Sequence, residues 1–431
     1  SLGVASGDPL HDGVVLWTRL APRPLEGGGM SDLSREVNWK VCRSELSQVG
    51  RTRTTPAPNA EASQMSFAFA SCHNYTAGYY AAYRHMAQQD LDLVFHLGDY
   101  IYEDGNPGTL GRAHVPAYEI RSLGDYRIRY GQYKSDPDLQ AAHAAAPWVV
   151  TMDDHEVENN YADEDSDPDS PRDEFLLRRA AAYQAYYEHQ PLRRSSLPDG
   201  PDMRLHRRVR YGNLAQFSVL DTRQHRSDQA CGGGIKPRCE AAFDPARTMT
   251  GQKQEDWLLA GLDNPGARWN SVAQQTLMAE LDMQAGDGEL FNMDNWAAYV
   301  PARERILNFL QRGRTPNPVV LAGDIHATFV NDLKASFDKE SSDIVATELA
   351  CTSISSTKPD AVNDQIEAAR PDNPHVKYYN GRERGFVRCD LTRDEWHASL
   401  LFLDDPRSRE SGISAKARYV IENGRPGAQK D

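Results

Sequence analysis

The segment Leu93-Val94-Phe95-His96-Leu97-Gly98-Asp99-Tyr100-Ile101-Tyr102 decides the fold of this chain. Its first half is an apolar run with the length of a buried strand, and it stops at a Gly-Asp pair, where a turn is expected. His96 lies inside the apolar run, so we interpret it as a structural residue. A single Gly-Asp pair after a strand more often marks a turn than a site, so the significance of this segment depends on whether the pattern recurs.

Three further apolar runs end in side chains that can bind a metal ion. These runs are residues 67–72, 148–155 and 319–326, which end in Cys72, Asp153-Asp154-His155 and Asp324-Ile325-His326. In an open α/β sheet the carboxyl ends of the strands line the functional crevice. The sequence therefore predicts that four strand ends converge on one site.

Helical patterns separate these runs, at residues 77–90, 173–189 and 298–312. Alternation of short apolar runs with helices indicates an α/β fold rather than an all-β or all-α fold. The acidic stretch 163–173 interrupts this pattern, and we interpret it as a solvated loop, with calcium binding as a less favoured alternative.

The first sixty residues have a different pattern. Short β-branched and aromatic pieces at 13–19 and 37–41 indicate strands, and residues 53–60 have the Pro-rich, small polar composition of a linker. We therefore predict a small β domain over residues 1–62 and a catalytic domain over residues 63–431. A length of 431 residues suits one large domain with a small accessory domain.

Charge and hydropathy exclude two classes of protein. With 62 acidic and 48 basic residues, the net charge is -14, so nucleic acid as a stoichiometric partner is disfavoured. No apolar stretch reaches the roughly 18 to 20 residues that a membrane span needs. The sequence leaves the oligomeric state open.

The residue types at the four strand ends indicate a mixed metal site. Thiolate, phenolate and carboxylate are anionic donors that suit a trivalent or hard ion, whereas carboxylate and amide oxygens suit calcium or magnesium. Two ions that share a bridging carboxylate can activate water and bind both the attacking and the leaving oxygens at phosphorus. Phosphoester hydrolysis is the reaction that this arrangement serves best.

At this point the sequence resembles a known family. Gly98-Asp99-Tyr100-Ile101-Tyr102 resembles the Gly-Asp-x-x-Tyr motif of purple-acid-type metallophosphoesterases. Cys72, Asp154-His155-Glu156 and Gly323-Asp324-Ile325-His326 are similar to the variants of PhoD-type alkaline phosphatases. Residues 3–9 and 16–19 resemble the N-terminal β-sandwich of that family, so the resemblance covers almost the whole chain.

The resemblance implies a fold: a four-layer α/β/β/α catalytic sandwich behind a small β-sandwich-like domain. That domain is shorter than the family's Ig-like sandwich by roughly forty residues, between Val41 and Gly50.

The resemblance also implies roles for individual residues. Cys72, Tyr102 and His326 would bind a ferric ion, and Asp99 would bridge it to a calcium ion. Asp154 and Asp324 would hold that calcium, together with an Asn in the segment 158–161, for which we choose Asn159 over Asn160. His155 would contact the phosphoryl oxygens, so we predict Asp99 and His155 as catalytic residues.

Arg223 is a third predicted catalytic residue. It follows the apolar run 217–220, and its guanidinium suits a substrate phosphate. A structural ion pair is at least as good an interpretation of Arg223.

The cysteines bear on the compartment. Cys231 and Cys239 bracket a short Gly-rich loop and could close a disulfide, which favours an oxidising compartment over the alternative of reduced thiols in a cytosolic enzyme. The family is typically exported, so we predict a secreted enzyme. The chain opens at Ser1 without a leader segment.

Two rival functions remain open at the sequence level. One is a PhoD-like phospholipase D that cleaves phospholipid headgroups with the same metal chemistry. The other, from a different class, is a non-catalytic binding protein whose metals only hold the fold. Other signals fail: Arg382 stands where the His-x-Lys-x-x-x-x-Asp motif beginning at His375 needs Asp, and the sequence has neither a P-loop nor a His-Glu-x-x-His motif.

Overall fold

The computed structural model of the protein describes residues 1–30, 50–166, 170–339 and 341–431. The strands are, in chain order, β1 (Val4–Leu10), β2 (Gly13–Thr18), β3 (Gln64–Ala70), β4 (Leu93–His96), β5 (Trp148–Val150), β6 (Arg207–Tyr211), β7 (Ala215–Val219), β8 (Ile235–Lys236), β9 (Trp269–Ala273), β10 (Phe291–Asn292), β11 (Pro318–Ala322), β12 (Thr328–Lys334), β13 (Ile344–Ala350), β14 (Val376–Asn380), β15 (Gly385–Thr392), β16 (Glu395–Leu403), β17 (Ile413–Glu422) and β18 (Gln429–Lys430). The α-helices are α1 (Ala81–Ala87), α2 (Leu123–Lys134), α3 (Pro137–Ala145), α4 (Arg172–His189), α5 (Gln252–Leu262), α6 (Val300–Gln311) and α7 (Asp360–Ala369). The four apolar runs of the sequence are strands β3, β4, β5 and β11, as predicted.

Most of these strands form two large sheets. The first sheet has the order β18-β17-β16-β15-β3-β4-β5-β1-β2, and the second has the order β14-β12-β13-β11-β9-β7-β6. In the first sheet β3, β4 and β5 are parallel neighbours, and in the second β13, β11, β9 and β7 are parallel neighbours. Because parallel strands end at the same edge, each sheet brings several strand ends together at one edge.

The two sheets pack face to face through the alternating side chains of their strands. On β3, Phe67 and Phe69 point into the core between the sheets, where the Phe67 ring lies 5.2 Å from the ring of Phe217 on β7. Ala68 and Ala70 point to the opposite face and pack with the helices outside the first sheet. This alternation is the period of two that a strand buried on both faces requires.

Helices cover the outer face of each sheet. Helices α1 to α4 pack on the first sheet, and α5 and α6 pack on the second. The order of layers is therefore α/β/β/α, which confirms the predicted fold.

The described part of the N-terminal unit extends the first sheet. Strands β1 and β2 form an antiparallel hairpin, and Gly7 of β1 pairs in parallel with Trp148 of β5. A Cβ at Gly7 would lie 2.6 Å from the carbonyl oxygen of Trp148, so only glycine allows this approach. The strand predicted at 37–41 and the shortening between Val41 and Gly50 fall in residues 31–49, outside the described residues, and the division at residue 62 stays a prediction.

The structure also bears on the predicted disulfide and on the predicted lack of a membrane span. Cys231 and Cys239 form a disulfide with their Cα atoms 5.8 Å apart, while Cys72, Cys351 and Cys389 are buried free thiols. Among the described residues, no helix has both the length and the apolar character needed to cross a bilayer. The acidic stretch 163–173 is described only in part, so its interpretation is not tested.

Candidate metal centre

The ends of β3, β4, β5 and β11 meet where the carboxyl edges of the two sheets face each other. The loop after β3 contacts the loop after β4, since the Cys72 amide donates to the Gly98 carbonyl at 3.1 Å. The loop after β5 contacts the second sheet, since the Thr151 hydroxyl donates to the Leu220 carbonyl at 2.9 Å. The structure therefore brings the four predicted strand ends to one place.

Four of the predicted metal ligands have left-handed backbone conformations. The φ angles are 57° at Cys72, 57° at Asp99, 56° at Asp324 and 53° at His326. Each such residue costs of the order of 1 to 3 kcal/mol, so the conformation persists only where its surroundings impose it. Four such residues at one sheet edge indicate that the surrounding structure imposes backbone strain here in order to hold these side chains in position.

Gly98 of the Gly-Asp motif allows the loops to approach closely. Its φ is 105°, and a Cβ at this position would lie 2.4 Å from the Cβ of Asp153. No other residue fits there without moving the loop after β5. The glycine thus sets how near Asp99 comes to the Asp153-Asp154 pair.

The first group of possible ligands contains a thiol, a carboxylate, a phenol and an imidazole. One donor atom each from Cys72, Asp99 and His326 lies within 4.8 Å of the others. The Tyr102 hydroxyl donates to Asp99 Oδ2 at 2.9 Å and lies 3.2 Å from His326 Nε2. His326 Nδ1 lies 3.2 Å from the Thr357 carbonyl oxygen, which turns Nε2 toward the group. All four side chains that the sequence predicted as iron ligands are gathered here.

The second group is formed by carboxylates and shares Asp99 with the first. Donor atoms of Asp99, Asp154 and His155 lie within 4.8 Å of one another, and so do those of Asp153, Asp154 and Asp324. Asp99 therefore belongs to both groups, as a bridging ligand must.

These residues fit bound cations. Asp99 Oδ1 and Asp154 Oδ1 are buried, and neither accepts a hydrogen bond from the described residues. Burial, helped by nearby carboxylates and opposed by Arg223, raises the pKa of Asp324 to about 7. Burial and the Asp99 charge raise the pKa of the Cys72 thiol well above its ordinary value. A cation would stabilise the charged forms of these acids.

His155 is held by Glu103, which sequence reasoning missed. His155 Nδ1 donates to Glu103 Oε2 at 2.6 Å, and its ring lies 4.2 Å from the Tyr102 ring. Burial opposes the charged imidazole, but Glu103, Asp99 and Asp154 outweigh it and raise the pKa of His155 well above its ordinary value. The available signal was position, since Glu103 directly follows Tyr102 of the motif.

Glu156 ties the two acidic loops together. It accepts hydrogen bonds from the amides of Asp99 at 3.2 Å and Asp153 at 2.8 Å, and also from that of Tyr100. Burial raises the pKa of Glu156 to about 8, while the amide donors oppose the shift. Glu156 is therefore a positioning residue for the loops after β4 and β5.

Arg223 lies among carboxylates. It is fully buried, its Nε donates to Asp153, and its Nη1 is 2.9 Å from Asp294 Oδ2. Its Nη2 lies 3.5 Å from both Asp154 and Asp324. The geometry favours the ion-pair interpretation of Arg223 over the predicted contact with substrate.

Asn160, rather than the predicted Asn159, lies at the site. Asn160 lines the cavity beside Asp324, and its backbone N–H donates to Asp154 Oδ2 at 2.7 Å. Asn159 is exposed, and its backbone N–H donates to Glu103 Oε1. The φ of 58° at Asn160 turns the chain here, which spacing alone could not indicate.

A cavity of about 620 Å³ opens onto the two groups of ligands. Asp324, His326 and Lys358 line it. Lys358 makes no hydrogen bond or ion pair with another residue in the described part of the chain, and burial lowers its pKa to about 8 against the pull of Asp324. Sequence reasoning missed this lysine, because it lies in a loop far from every motif.

Replacing Glu103 with Gln should impair the alignment of His155. The neutral amide no longer holds the imidazole through a charge-assisted hydrogen bond, and loss of such an outer partner typically lowers activity by about 10- to 100-fold. We expect kcat/KM for a phosphoester to fall in this range while the metal content stays that of the wild type. Glu119→Gln, at a more exposed carboxylate, is the control and should keep full activity. Loss of metal from Glu103→Gln would contradict a role limited to His155.

Known proteins show the same organisation. The PhoD-like phosphatase family model matches residues 67–400, and the model of its N-terminal domain matches residues 1–60. Alkaline phosphatase D of Bacillus subtilis (strain 168) is 45% identical over 483 aligned positions, which cover 100% of this chain and 82% of that protein. The solved structure of PhoD superposes with a TM-score of 0.91 at 45% identity, over 100% of this chain and 91% of the other. The chain belongs to the PhoD-like phosphatase family and is a metal-dependent phosphoester hydrolase.

Proposed function

We propose that this enzyme binds one ferric ion and calcium and hydrolyses phosphomonoesters and phosphodiesters at alkaline pH. The observation that carries the proposal is the shared position of Asp99, between a group with thiol, phenol and imidazole donors and a group of carboxylates. Cys72, Asp99, Tyr102 and His326 would hold the iron. Asp99, Asp154, Asp324 and Asn160 would hold calcium.

The donor types support this choice of metals. Thiolate and phenolate are strong anionic donors that stabilise a trivalent ion, whereas calcium prefers carboxylate and amide oxygens. When bound, the two cations supply Lewis acidity to the phosphoryl group and lower the pKa of water.

The chain itself positions the phosphoryl group. His155, with Nδ1 fixed on Glu103, would present Nε2 to a phosphoryl oxygen. Lys358, on the cavity wall, would donate a hydrogen bond to the same group. Cys72, Asp99 and Tyr102 are buried, and the low polarity around them strengthens both interactions.

Two further observations support the proposed substrate and compartment. The Bacillus subtilis relative is an alkaline phosphatase D, which supports a similar activity here. The disulfide between Cys231 and Cys239 supports an oxidising compartment, so we propose that the enzyme acts outside the cell.

Metal analysis tests the proposal. We expect plasma mass spectrometry of the purified protein to find about one iron per chain together with calcium. Cys72→Ser should lose the iron, because serine is a poor anionic donor at neutral pH. Cys389→Ser is the matched control, since Cys389 is also a buried free thiol but lies on β15, outside both groups of ligands.

Two results would contradict the proposal. Zinc as the only stoichiometric metal, or equal iron in Cys72→Ser and the wild type, would mean that the first group does not bind iron. A fully metallated wild-type chain inert toward chromogenic phosphomonoesters and phosphodiesters would favour a binding protein instead.

A further inference from the structure

The cavity at the metal centre has an apolar wall in addition to its polar end. The residues of this wall are Leu281, Met283, Ile325 and Val362, whereas Ile366, which also borders the cavity, is fully buried. All of them belong to, or pack against, one apolar cluster beneath β12, β13 and β14. The edge of a hydrophobic cluster is therefore left open toward the site.

The wall begins directly at the metal ligands. Ile325 stands between Asp324 and His326 in the chain, lines the cavity and is 8% exposed. Val362, on the first turn of α7, is half-buried and lines the cavity, while Ile366 one turn later on the same side of the helix is fully buried. A group bound at phosphorus thus has an apolar surface within reach of its ester arm.

An open apolar wall inside a cavity favours an apolar ligand. Exposed apolar surface is unfavourable in water, and a ligand group that covers it gains the free energy of burial. Lys358, His326 and the Asp324 carboxylate occupy the polar end, so the phosphate and the apolar arm have separate places in one cavity.

We propose that the preferred substrate is a phosphodiester in which the ester arm that stays on phosphorus is small and apolar, such as a hexyl group, and lies on the wall formed by Leu281, Met283, Ile325 and Val362. A cavity of about 620 Å³ has room for such an arm together with the phosphoryl group. The proposal deepens the proposed function, because it assumes that phosphodiester hydrolysis occurs at this metal centre.

Two esters with the same leaving group test the wall. Hexyl p-nitrophenyl phosphate and methyl p-nitrophenyl phosphate differ only in the arm that stays on phosphorus. We expect the kcat/KM of the metal-loaded enzyme to be about 10- to 100-fold higher for the hexyl ester, since each buried methylene contributes to binding. A ratio within twofold of one would overturn the proposal.

Variants of the wall make the test specific. Val362→Gln and Met283→Gln each place an amide on the wall at similar size, and each should lower the hexyl-to-methyl ratio at least about fivefold. Ala361→Gln is the matched control, because Ala361 is the exposed neighbour of Val362 on α7, and its ratio should equal that of the wild type. An unchanged ratio in both wall variants would overturn the proposal, even if one of them folds poorly.

A failure of the proposed function gives a different result. A metal-loaded enzyme inactive on both esters would contradict phosphodiester hydrolysis. The dissociation constants of hexylphosphonate and methylphosphonate, measured by calorimetry, would then test the apolar wall independently of hydrolysis. Tighter binding of hexylphosphonate by about tenfold or more would support the wall, and equal binding would overturn it.

Discussion

Asp99→Asn abolishes phosphoester hydrolysis: we expect kcat to fall by about 10³-fold or more. Among the described residues, the Asp99 carboxylate is the one side chain common to the thiol-containing group and to the Asp154–His155 group. Asn has the same shape and tolerates the left-handed conformation at this position, where φ is 57°. The substitution therefore removes the negative charge of residue 99 and leaves the fold intact. The loss of activity then reports the bridging role of the carboxylate.

The control for Asp99→Asn is Asp8→Asn. Asp8 is also buried and left-handed, with a φ of 44°, but it pairs with Arg207 and lies outside both groups. We expect Asp8→Asn to lower the free energy of unfolding and to keep its rate per folded, metallated chain. Steady-state rates and metal content should be measured for both variants. Retention of more than a few per cent of the wild-type rate by Asp99→Asn would contradict the shared carboxylate.

The ligands at the strand ends are predictable from sequence for a physical reason. A buried strand shows as an apolar run, and parallel strands must end at the same edge, so Cys72, Asp99, Asp154 and Asp324 needed no knowledge of loop shape. The α/β/β/α layer order follows only from the family resemblance, because apolar runs indicate an α/β fold but not how its sheets and helices stack. The structure confirms the fold and brings the ligands together.

Other features depend on loop conformation and could not be predicted. Asn160 takes the place of Asn159 through a single left-handed residue. Lys358 reaches the cavity from a loop that the His326–Thr357 hydrogen bond holds. Backbone turns of this kind leave no periodic pattern in the sequence.

Removal of the Arg223 charge should produce the largest loss of stability. Its guanidinium is the partner of Asp153, and it also lies within 3.5 Å of Asp154, Asp294 and Asp324. Breaking a buried ion pair by removing one partner typically costs about 3 to 5 kcal/mol, because the other charge stays buried without compensation. We expect Arg223→Met to lower the free energy of unfolding by about that amount in the metal-free protein.

Bound cations should reduce this loss. They would neutralise Asp154 and Asp324, two of the four carboxylates that Arg223 faces. Urea unfolding with and without chelator measures the difference for Arg223→Met and for Arg223→Lys, which keeps the charge but loses the planar fork. We expect the lysine variant to lie between the wild type and Arg223→Met.

The same experiment decides between the two interpretations of Arg223. A structural ion pair predicts that stability falls first, and that the rate per folded, metallated chain falls less. Contact with substrate predicts the reverse: unfolding within about 1 kcal/mol of the wild type, with a large rise in KM. Because Arg223 is fully buried and pairs with Asp153, Asp154 and Asp324, we expect it to act on the reaction through the position of these carboxylates. Its loss should therefore appear in metal affinity before it appears in substrate binding.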